Sequence, residues 1–389
     1  MSRDGGGRGS RAGAEQKSTT PILLVGSAVT CPDLEYASGF RATDPVVFLQ
    51  TAVGRFLVVP PLEYGRASRV GRNLEVLTPE LLGVPKRRRR AVEEWAWRLL
   101  RREAVRRVAV PRMFPHGVAA ALLRRGVRVA VAAGEVFPGR AVKTAEEQRK
   151  IAAAQQAAVI AMRAAVDLVA QAKIGVSGYL ERQGGRLTAE QVRSRIEQVL
   201  LEHGCFGRDT IVAGGMAAAD PHEIGHGPLA AHEAIVIDIF PQHLEYGYWG
   251  DLTRTVARGA PAPALRRMYQ AVRAAQTAAL SRVRAGARCE SVHRAAVEEF
   301  RRRGFETRTE GGRPEGFIHG TGHGVGLSIH EAPGVAPGPA RLRAGNVITV
   351  EPGLYYPGVG GVRLEDTVVV TAKGWRYLAP CEKRFEVGQ

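Results

Sequence analysis

Four acidic residues interrupt apolar strand runs at corresponding places along this chain, and that pattern constrains the fold more than any other feature. Asp238 follows Ile235-Val236-Ile237, and Asp251 opens a run to Val256. Glu351 closes Val347-Ile348-Thr349-Val350, and Glu365 lies within Gly361–Val370. A carboxylate in such a strand is costly to bury unless it is paired or bound to metal. One alone would read as a strand edge near solvent. Each pair of strands follows two helical segments. In the first copy, Thr144 with Glu147 and Thr188 with Gln191 form capping-box signatures. Ile151, Val159, Met162, Val166 and Val169 recur at helical spacing until Gly175, and Val192, Ile196 and Val199 until Gly204. The second copy predicts helices over 264–284 and 290–303, carried by Leu265, Met268, Val272 and Leu280, then Val292, Val297 and Phe300. Helix, helix, hairpin therefore occurs twice with little identity between the copies. We read a duplicated α+β unit whose two hairpins could face each other, with the four acids as metal ligands.

The region upstream differs. Residues 1–20 are Gly-rich and polar and are expected to form a disordered tail. The apolar stretch Pro21–Val29 is short and preceded by Asp4 and Glu15, so it suits a buried first strand better than a signal peptide. Strand candidates at 22–26, 46–50, 55–59, 107–110 and 127–132 alternate with helical stretches near 91–105 and 115–125. These predict a smaller α/β domain over residues 21–140. It contains His116 but no cluster of His, Asp and Glu, so no chemistry is expected there. Phe137-Pro138-Gly139-Arg140 reads as a linker, leaving 141–389 for the duplicated unit.

The formal charge of +17, from 55 Lys and Arg against 38 Asp and Glu, raises the question of nucleic acid. Only seven of those basic residues are Lys, and the Arg excess is spread along the chain. The densest run, Lys86–Arg90, leads into Ala91-Val92-Glu93-Glu94-Trp95 and reads as the exposed start of a helix. No aromatic interleaving of the RNA-binding kind accompanies it, so nucleic acid is disfavoured as a partner. No run of 18 apolar residues is present, and no membrane association is expected. Cys31, Cys205, Cys289 and Cys381 lie far apart without a C-x-x-C pair, which predicts reduced thiols and a cytoplasmic setting.

Between the hairpins lies Phe317-Ile318-His319-Gly320-Thr321-Gly322-His323-Gly324-Val325-Gly326, followed by Leu327-Ser328-Ile329-His330-Glu331. Glycines around His323 would let the backbone approach the carboxylates closely. One imidazole with four carboxylates is a hard, oxygen-rich donor set suited to two divalent ions such as Mn²⁺, Co²⁺ or Zn²⁺. Paired ions of this kind activate water and polarise a carbonyl.

Ile237-Asp238, Gly250-Asp251-Leu252-Thr253-Arg254-Thr255, His319-Gly-Thr-Gly-His323-Gly-Val-Gly, His330-Glu331-Ala-Pro333, Glu351-Pro352-Gly353 and Arg363-Leu364-Glu365-Asp366 resemble the pita-bread metallopeptidases. That family includes Xaa-Pro aminopeptidases, prolidases and methionine aminopeptidases, with the metal-free creatinases as relatives. The resemblance covers the chain from about residue 140 onward, and the upstream domain resembles the creatinase-type N-terminal domain. It implies a pita-bread catalytic domain with Asp238, Asp251, His323, Glu351 and Glu365 as metal ligands. Asp251 and Glu365 would bridge two ions, most readily Mn²⁺. Glu351 would also serve as general base and then acid. It further implies that His222 approaches the substrate and that His330 steadies the oxyanion or holds the scissile peptide. His319 and Arg363 would support the site or contact substrate, and Thr253 and Thr255 would orient carboxylates. A homodimer or higher homo-oligomer is a family-level expectation.

The family usually separates its first two aspartates by ten residues, whereas twelve intervene here. Two extra residues preserve the side-chain face, because strand periodicity is two. The insertion near Pro241–Glu245 therefore need not disturb ligation. His203, His226, His232, His243 and His293 read as surface or helix residues.

The favoured activity is release of an N-terminal residue preceding proline from peptides. Xaa-Pro dipeptidase is the alternative. Some prolidases carry an Arg just after the H-E-x-P segment, where this chain has Gly334. A methionine aminopeptidase fits less well with the extra N-terminal domain. A non-catalytic binding scaffold or a creatinase-like hydrolase fits less well with five intact ligands.

Overall fold

The computed structural model describes residues 20–71 and 73–388. The tail expected over residues 1–20 thus lies, apart from Thr20, outside the described residues. The chain divides into two compact units, Met1–Pro138 and Gly139–Gln389.

In the first unit the Val- and Leu-rich runs form a mixed six-stranded sheet. Its strands are β1 (Ile22–Gly26), β2 (Val46–Gln50), β3 (Arg55–Val58), β4 (Glu75–Leu77), β5 (Arg107–Val110) and β6 (Arg128–Val131), in the order β4-β3-β2-β1-β5-β6. Helices α1 (Pro32–Ser38), α2 (Val92–Arg102) and α3 (His116–Leu123) complete it. On α2, Trp95, Ala96, Leu99 and Leu100 fall on one face and are buried against the sheet. The basic run differs from its expected form. Lys86–Arg88 make a separate 3₁₀ turn after Pro85, and the helix begins only at Val92. Among the elements that escaped the sequence pattern are α1, seven residues long, the short helical stretch from Pro61 to Ala67, and β4, a three-residue edge strand.

The second unit is built twice over from two helices and strands. Both expected capping boxes are formed, at Thr144 and Thr188, opening α4 (Ala145–Gln171) and α5 (Ala189–Glu202). Helix α4 is long and apolar enough by composition to cross a bilayer, but half of its most apolar stretch is buried inside the protein. Ile151, Ala154, Ala158, Val159 and Met162 are buried along it. Full burial of each larger side chain contributes on the order of 1.5–3 kcal/mol. These helices cover a four-stranded sheet, β7 (Ile211–Gly214), β8 (Ile235–Ile239), β9 (Leu252–Arg258) and, at the far edge, the last strand of the chain. Helices α6 (Pro263–Leu280) and α7 (Cys289–Arg302) cover the second sheet. That sheet contains β10 (Gly322–Gly324), β11 (Glu331–Val335), β12 (Val347–Val350), β15 (Asp366–Val370) and β16 (Trp375–Tyr377) in the order β11-β10-β12-β15-β16.

The stretch Gly361–Val370 is not one strand. Gly360–Arg363 (β14) pairs with Gly353–Tyr356 (β13) in a separate ribbon, whereas β15 pairs with β12. The break falls at Leu364-Glu365 because the Glu365 N–H leaves its own sheet and donates to Thr253 O on β9, at 3.1 Å. That crossing brings the two copies together where the carboxylates lie.

Candidate metal centre

Strand register sets the acidic face. Asp238 lies opposite Thr253 in the β8–β9 pair, and Asp251 sits two residues before Thr253. All three therefore share one face. In the β12–β15 pair Val350 lies opposite Asp366, so Glu351 and Glu365 continue the same register just beyond the paired residues. Gly250, immediately before Asp251, packs so tightly on α4 that a Cβ there would come within 2.7 Å of Gln155 N. The Gln155 side chain then clamps Asp251 from both sides, accepting from its N–H and donating to its carbonyl, each at 2.8 Å. Gly322 serves the imidazole in the same way. A Cβ there would lie 2.1 Å from Thr349 O, so only glycine lets His323 approach the strand leading to Glu351.

Asp238, Asp251, His323, Glu351 and Glu365 line one cavity of about 550 Å³, and so do His222, His319, His330 and Arg363. The nine ligand, catalytic and substrate-contact candidates read from the sequence thus converge. The His323 Nε2 lies 3.2 Å from Glu351 Oε1 and 3.5 Å from Asp251 Oδ2. His323 Nδ1 faces Gly324 O at 3.1 Å, an arrangement that directs Nε2 toward the acids. Ligand atoms of Asp251, His323 and Glu365 lie within 4.8 Å of one another, close enough to hold one ion.

The electrostatics of the cavity favour a cation. Burial, followed by the charge of Asp238, pushes the Asp251 carboxyl well above its ordinary range. Burial and Asp251 do the same to Glu365. Burial would also raise Glu351, but the His323 hydrogen bond and charge prevail and draw it down to about 2. Burial would lower His323, yet Glu351 and Asp251 push it up to about 9. Asp238 Oδ1 and Glu365 Oε1 are buried without a hydrogen-bond partner. Such orphaned oxygens in an acidic cavity are what a bound divalent ion would satisfy. The donor set and its geometry therefore fit metal.

The remaining oxygens are anchored by protein. Asp238 Oδ2 accepts from Arg363 Nη2 at 2.7 Å, Glu365 Oε2 from Thr253 Oγ1 at 2.8 Å, and Glu351 Oε1 from Thr349 Oγ1 at 3.0 Å. Among the described residues Thr255 makes no hydrogen bond to a carboxylate. Its hydroxyl instead bonds the backbone of Arg363 at both N–H and carbonyl.

The alignment with family models decides the family: residues 149–372 match metallopeptidase family M24. The chain belongs to that family. An Xaa-Pro dipeptidase of Pyrococcus furiosus is 32% identical over 250 residues, which cover 63% of this chain and 65% of that relative's length. An Xaa-Pro dipeptidase of Pyrococcus horikoshii is 28% identical over 363 residues, 91% of this chain and 92% of the relative. The solved prolidase from Pyrococcus furiosus superposes with a TM-score of 0.77 at 25% identity, covering 93% and 97% of the two chains. The fold of this M24 member is thus the pita-bread fold, and its class of chemistry is metal-dependent peptide hydrolysis.

Within this M24 site, His319 lines the cavity with both ring nitrogens engaged. Its Nε2 meets Tyr355 Oη at 3.0 Å and its Nδ1 meets Gly320 O at 2.7 Å, so both nitrogens are engaged within the protein. Burial pushes the Tyr355 hydroxyl up to about 12, so it keeps its proton and donates it to His319, while accepting from Arg363 Nη1 at 2.8 Å. A string His319–Tyr355–Arg363–Asp238 results. Arg363 Nη1 also donates to Pro221 O at 3.3 Å, fixing the segment that carries His222. Of the histidines read as surface or helix residues, His293 does lie on a helix, but its Nδ1 bonds Thr321 Oγ1 at 3.0 Å.

Gln155 and Tyr355 were not anticipated. Gln155 carried a signal, since it occupies the apolar stripe between Ile151 and Val159. Tyr355 carried none. Tyr355→Phe is expected to leave an acceptor on His319 and a donor on Arg363 unmatched. The expected cost is about 1–3 kcal/mol of stability. Chemical denaturation of the variant beside the parent protein measures it.

Proposed function

We propose that the protein hydrolyses the bond between an N-terminal residue and proline, with Xaa-Pro dipeptides as its primary substrates. The convergence of four carboxylates and one imidazole on a single cavity, with two buried carboxylate oxygens unpartnered, carries the hydrolytic reading. The dipeptide preference is supported by the names of the relatives above. Asp238, Asp251, His323, Glu351 and Glu365 would hold two divalent ions, for which the oxygen-rich set favours Mn²⁺ over Co²⁺ or Zn²⁺. When bound, such ions supply an acidic water and polarise the scissile carbonyl.

The protein's own groups would do the rest. The bond to proline is a tertiary amide without an N–H, so a site that recognises that hydrogen gains nothing from this substrate. Glu351, steadied by Thr349 and His323, would accept the proton of the attacking water and return it to the departing proline nitrogen. Burial followed by the charge of His323 holds His330 below its ordinary value, which keeps it neutral and able to donate from one nitrogen to the developing oxyanion. His222, at the pocket wall, would meet the substrate backbone. His319 would act through Tyr355 and Arg363 as a support.

One observation favours the longer-peptide reading. Arg363 is the single guanidinium or ammonium lining the cavity among the described residues, and it is engaged by Asp238 and Tyr355. Gly334 provides no cation after Pro333. A dipeptide carboxylate would then need a cation from elsewhere. Hydrolysis of an Xaa-Pro dipeptide and a matched pentapeptide, after chelation and after restoring Mn²⁺, separates the readings. The proposal expects metal-dependent cleavage with the dipeptide preferred. Preference for the pentapeptide would make the protein an aminopeptidase. The proposal also includes a cytoplasmic homodimer, on the family resemblance and the scattered thiols. Light scattering on the purified protein tests the dimer.

A further inference from the structure

The loop that brings His330 to the cavity is gripped from behind by a buried cluster of three charges that the hydrolytic reading leaves unused. Glu331 Oε2 accepts from Arg140 Nη2 at 2.8 Å and from Arg140 Nε at 3.2 Å. Its other oxygen accepts from Lys143 Nζ at 2.5 Å. Arg140 Nη2 also donates to Ser328 Oγ at 2.8 Å, and the Ser328 N–H reaches back to Glu331 Oε2 at 3.3 Å. The side chains of Lys143 and Glu331 are 1% and 6% exposed, and that of Arg140 is 13% exposed. Burying three charges is unfavourable unless their geometry is good, and apolar packing could have closed the same loop. A rigid, directional grip is what such a cluster provides and apolar packing does not.

His330 depends on that grip. Among the described residues its ring makes no hydrogen bond, and its aromatic contact is an edge-to-face packing against His323 with centroids 4.2 Å apart. The ring therefore takes its position from the backbone of Ser328–Glu331. On that backbone the cluster holds both Ser328 and Glu331.

We propose that Glu331, held by Arg140 and Lys143, is a positioning residue that orients His330 toward the substrate. The proposal rests on the reading of His330 as the group that steadies the oxyanion. It predicts a defect in turnover, because a small displacement of a transition-state donor costs rate more than substrate affinity.

The test compares the Mn²⁺-loaded parent protein with Glu331→Gln, His330→Ala and the double variant. Each is assayed for kcat and KM on an Xaa-Pro peptide, metal content and Tm. Glu331→Gln is expected to lower kcat on the order of 10–100-fold, with KM changed less than about 3-fold and metal content unchanged. On the His330→Ala background the same substitution is expected to cost nothing further, since residues that act through one another are not additive. A full additional loss in the double variant would overturn the proposal. So would loss of bound metal from Glu331→Gln, which would place its effect on the ligands. A His330→Ala protein with undiminished kcat would instead overturn the reading of His330, and the proposal with it. Should Glu331→Gln fail to fold, Arg140→Lys keeps the charge and loses the paired contact. It is expected to lower kcat about 3–10-fold with the same non-additivity.

Discussion

Asp251→Asn is expected to lower kcat/KM by at least about 10³-fold and yet to raise the Tm of the metal-free protein. The loss follows from removing a carboxylate that would hold metal in the proposed centre. The gain follows from the cavity itself. Asp251 and Glu365 have folded-state pKa values raised well above 3.8 and 4.5, in both cases chiefly by burial and then by a neighbouring carboxylate. For an acid shifted upward, the unfolded chain ionises first as pH rises. Folding stability is then lost from the ordinary carboxyl range upward to the folded pKa. Asn removes that penalty at one position while keeping the shape. His323 acts in the same direction, because its folded value of about 9 gives stability that is complete below 6.5 and lost as pH rises through 9. Glu351, drawn down to about 2, loses its contribution only in strong acid. The chelated protein should therefore grow less stable between about pH 5 and 9. The slope should be shallower in Asp251→Asn, and added divalent metal should restore the parent but not the variant. Thermal melts across pH, with and without chelator, give all three outcomes. A variant less stable than the chelated parent at pH 8 would contradict this account of the cavity.

Arg254→Met is expected to behave in the opposite way, destabilising the protein by about 3–5 kcal/mol with or without metal. Arg254 is 2% exposed and sits on the face of β9 away from the acids. It donates to the carbonyls of Thr253, Glu365, Cys381 and Glu382 and to Asp366 Oδ1. These acceptors belong to both copies of the duplicated unit and to the C-terminal segment, so one guanidinium fastens three parts of the chain. Methionine fills much of the volume but removes the donor to each of these carbonyls, of which that of Thr253 keeps the Glu365 N–H, and among the described residues Asp366 keeps Lys383 and Gln276 as partners. Arg254→Lys keeps the charge without the planar fork and should recover only part of the loss. Urea unfolding of both variants measures the difference. A Met variant within about 1 kcal/mol of the parent would show that the fastening is dispensable.

Helix ends and strand runs were legible because they rest on local chemistry: a Thr with Glu or Gln three residues on, and apolar residues at period 3.6 or 2. The acids were legible because carboxylates inside apolar strands demand a reason. What escaped depends on partners distant in sequence. Glu365 leaves its strand because Thr253, 112 residues earlier, takes its N–H and its Oε2. Period-two alternation passes through that point without a mark. Tyr355 looks like an ordinary strand aromatic until His319 and Arg363 arrive on either side of its hydroxyl. His319 was expected either to support the site or to contact substrate, because sequence shows that a histidine is near a site, but not whether its nitrogens are already taken. Only the fold shows that Lys143 and Glu331, far apart in the chain, meet in one buried cluster. The Lys86–Arg90 run was misread in form because Pro85 favours a tight turn there, so the following helix starts later.

The most direct test of the proposed centre is the number of divalent ions bound per chain, measured by elemental analysis while activity is followed as metal is withdrawn and restored. The account predicts two Mn²⁺ per chain at full activity, loss of activity as they leave, and failure of Asp251→Asn to regain them. Full hydrolysis of an Xaa-Pro peptide by protein stripped of divalent metal would contradict it.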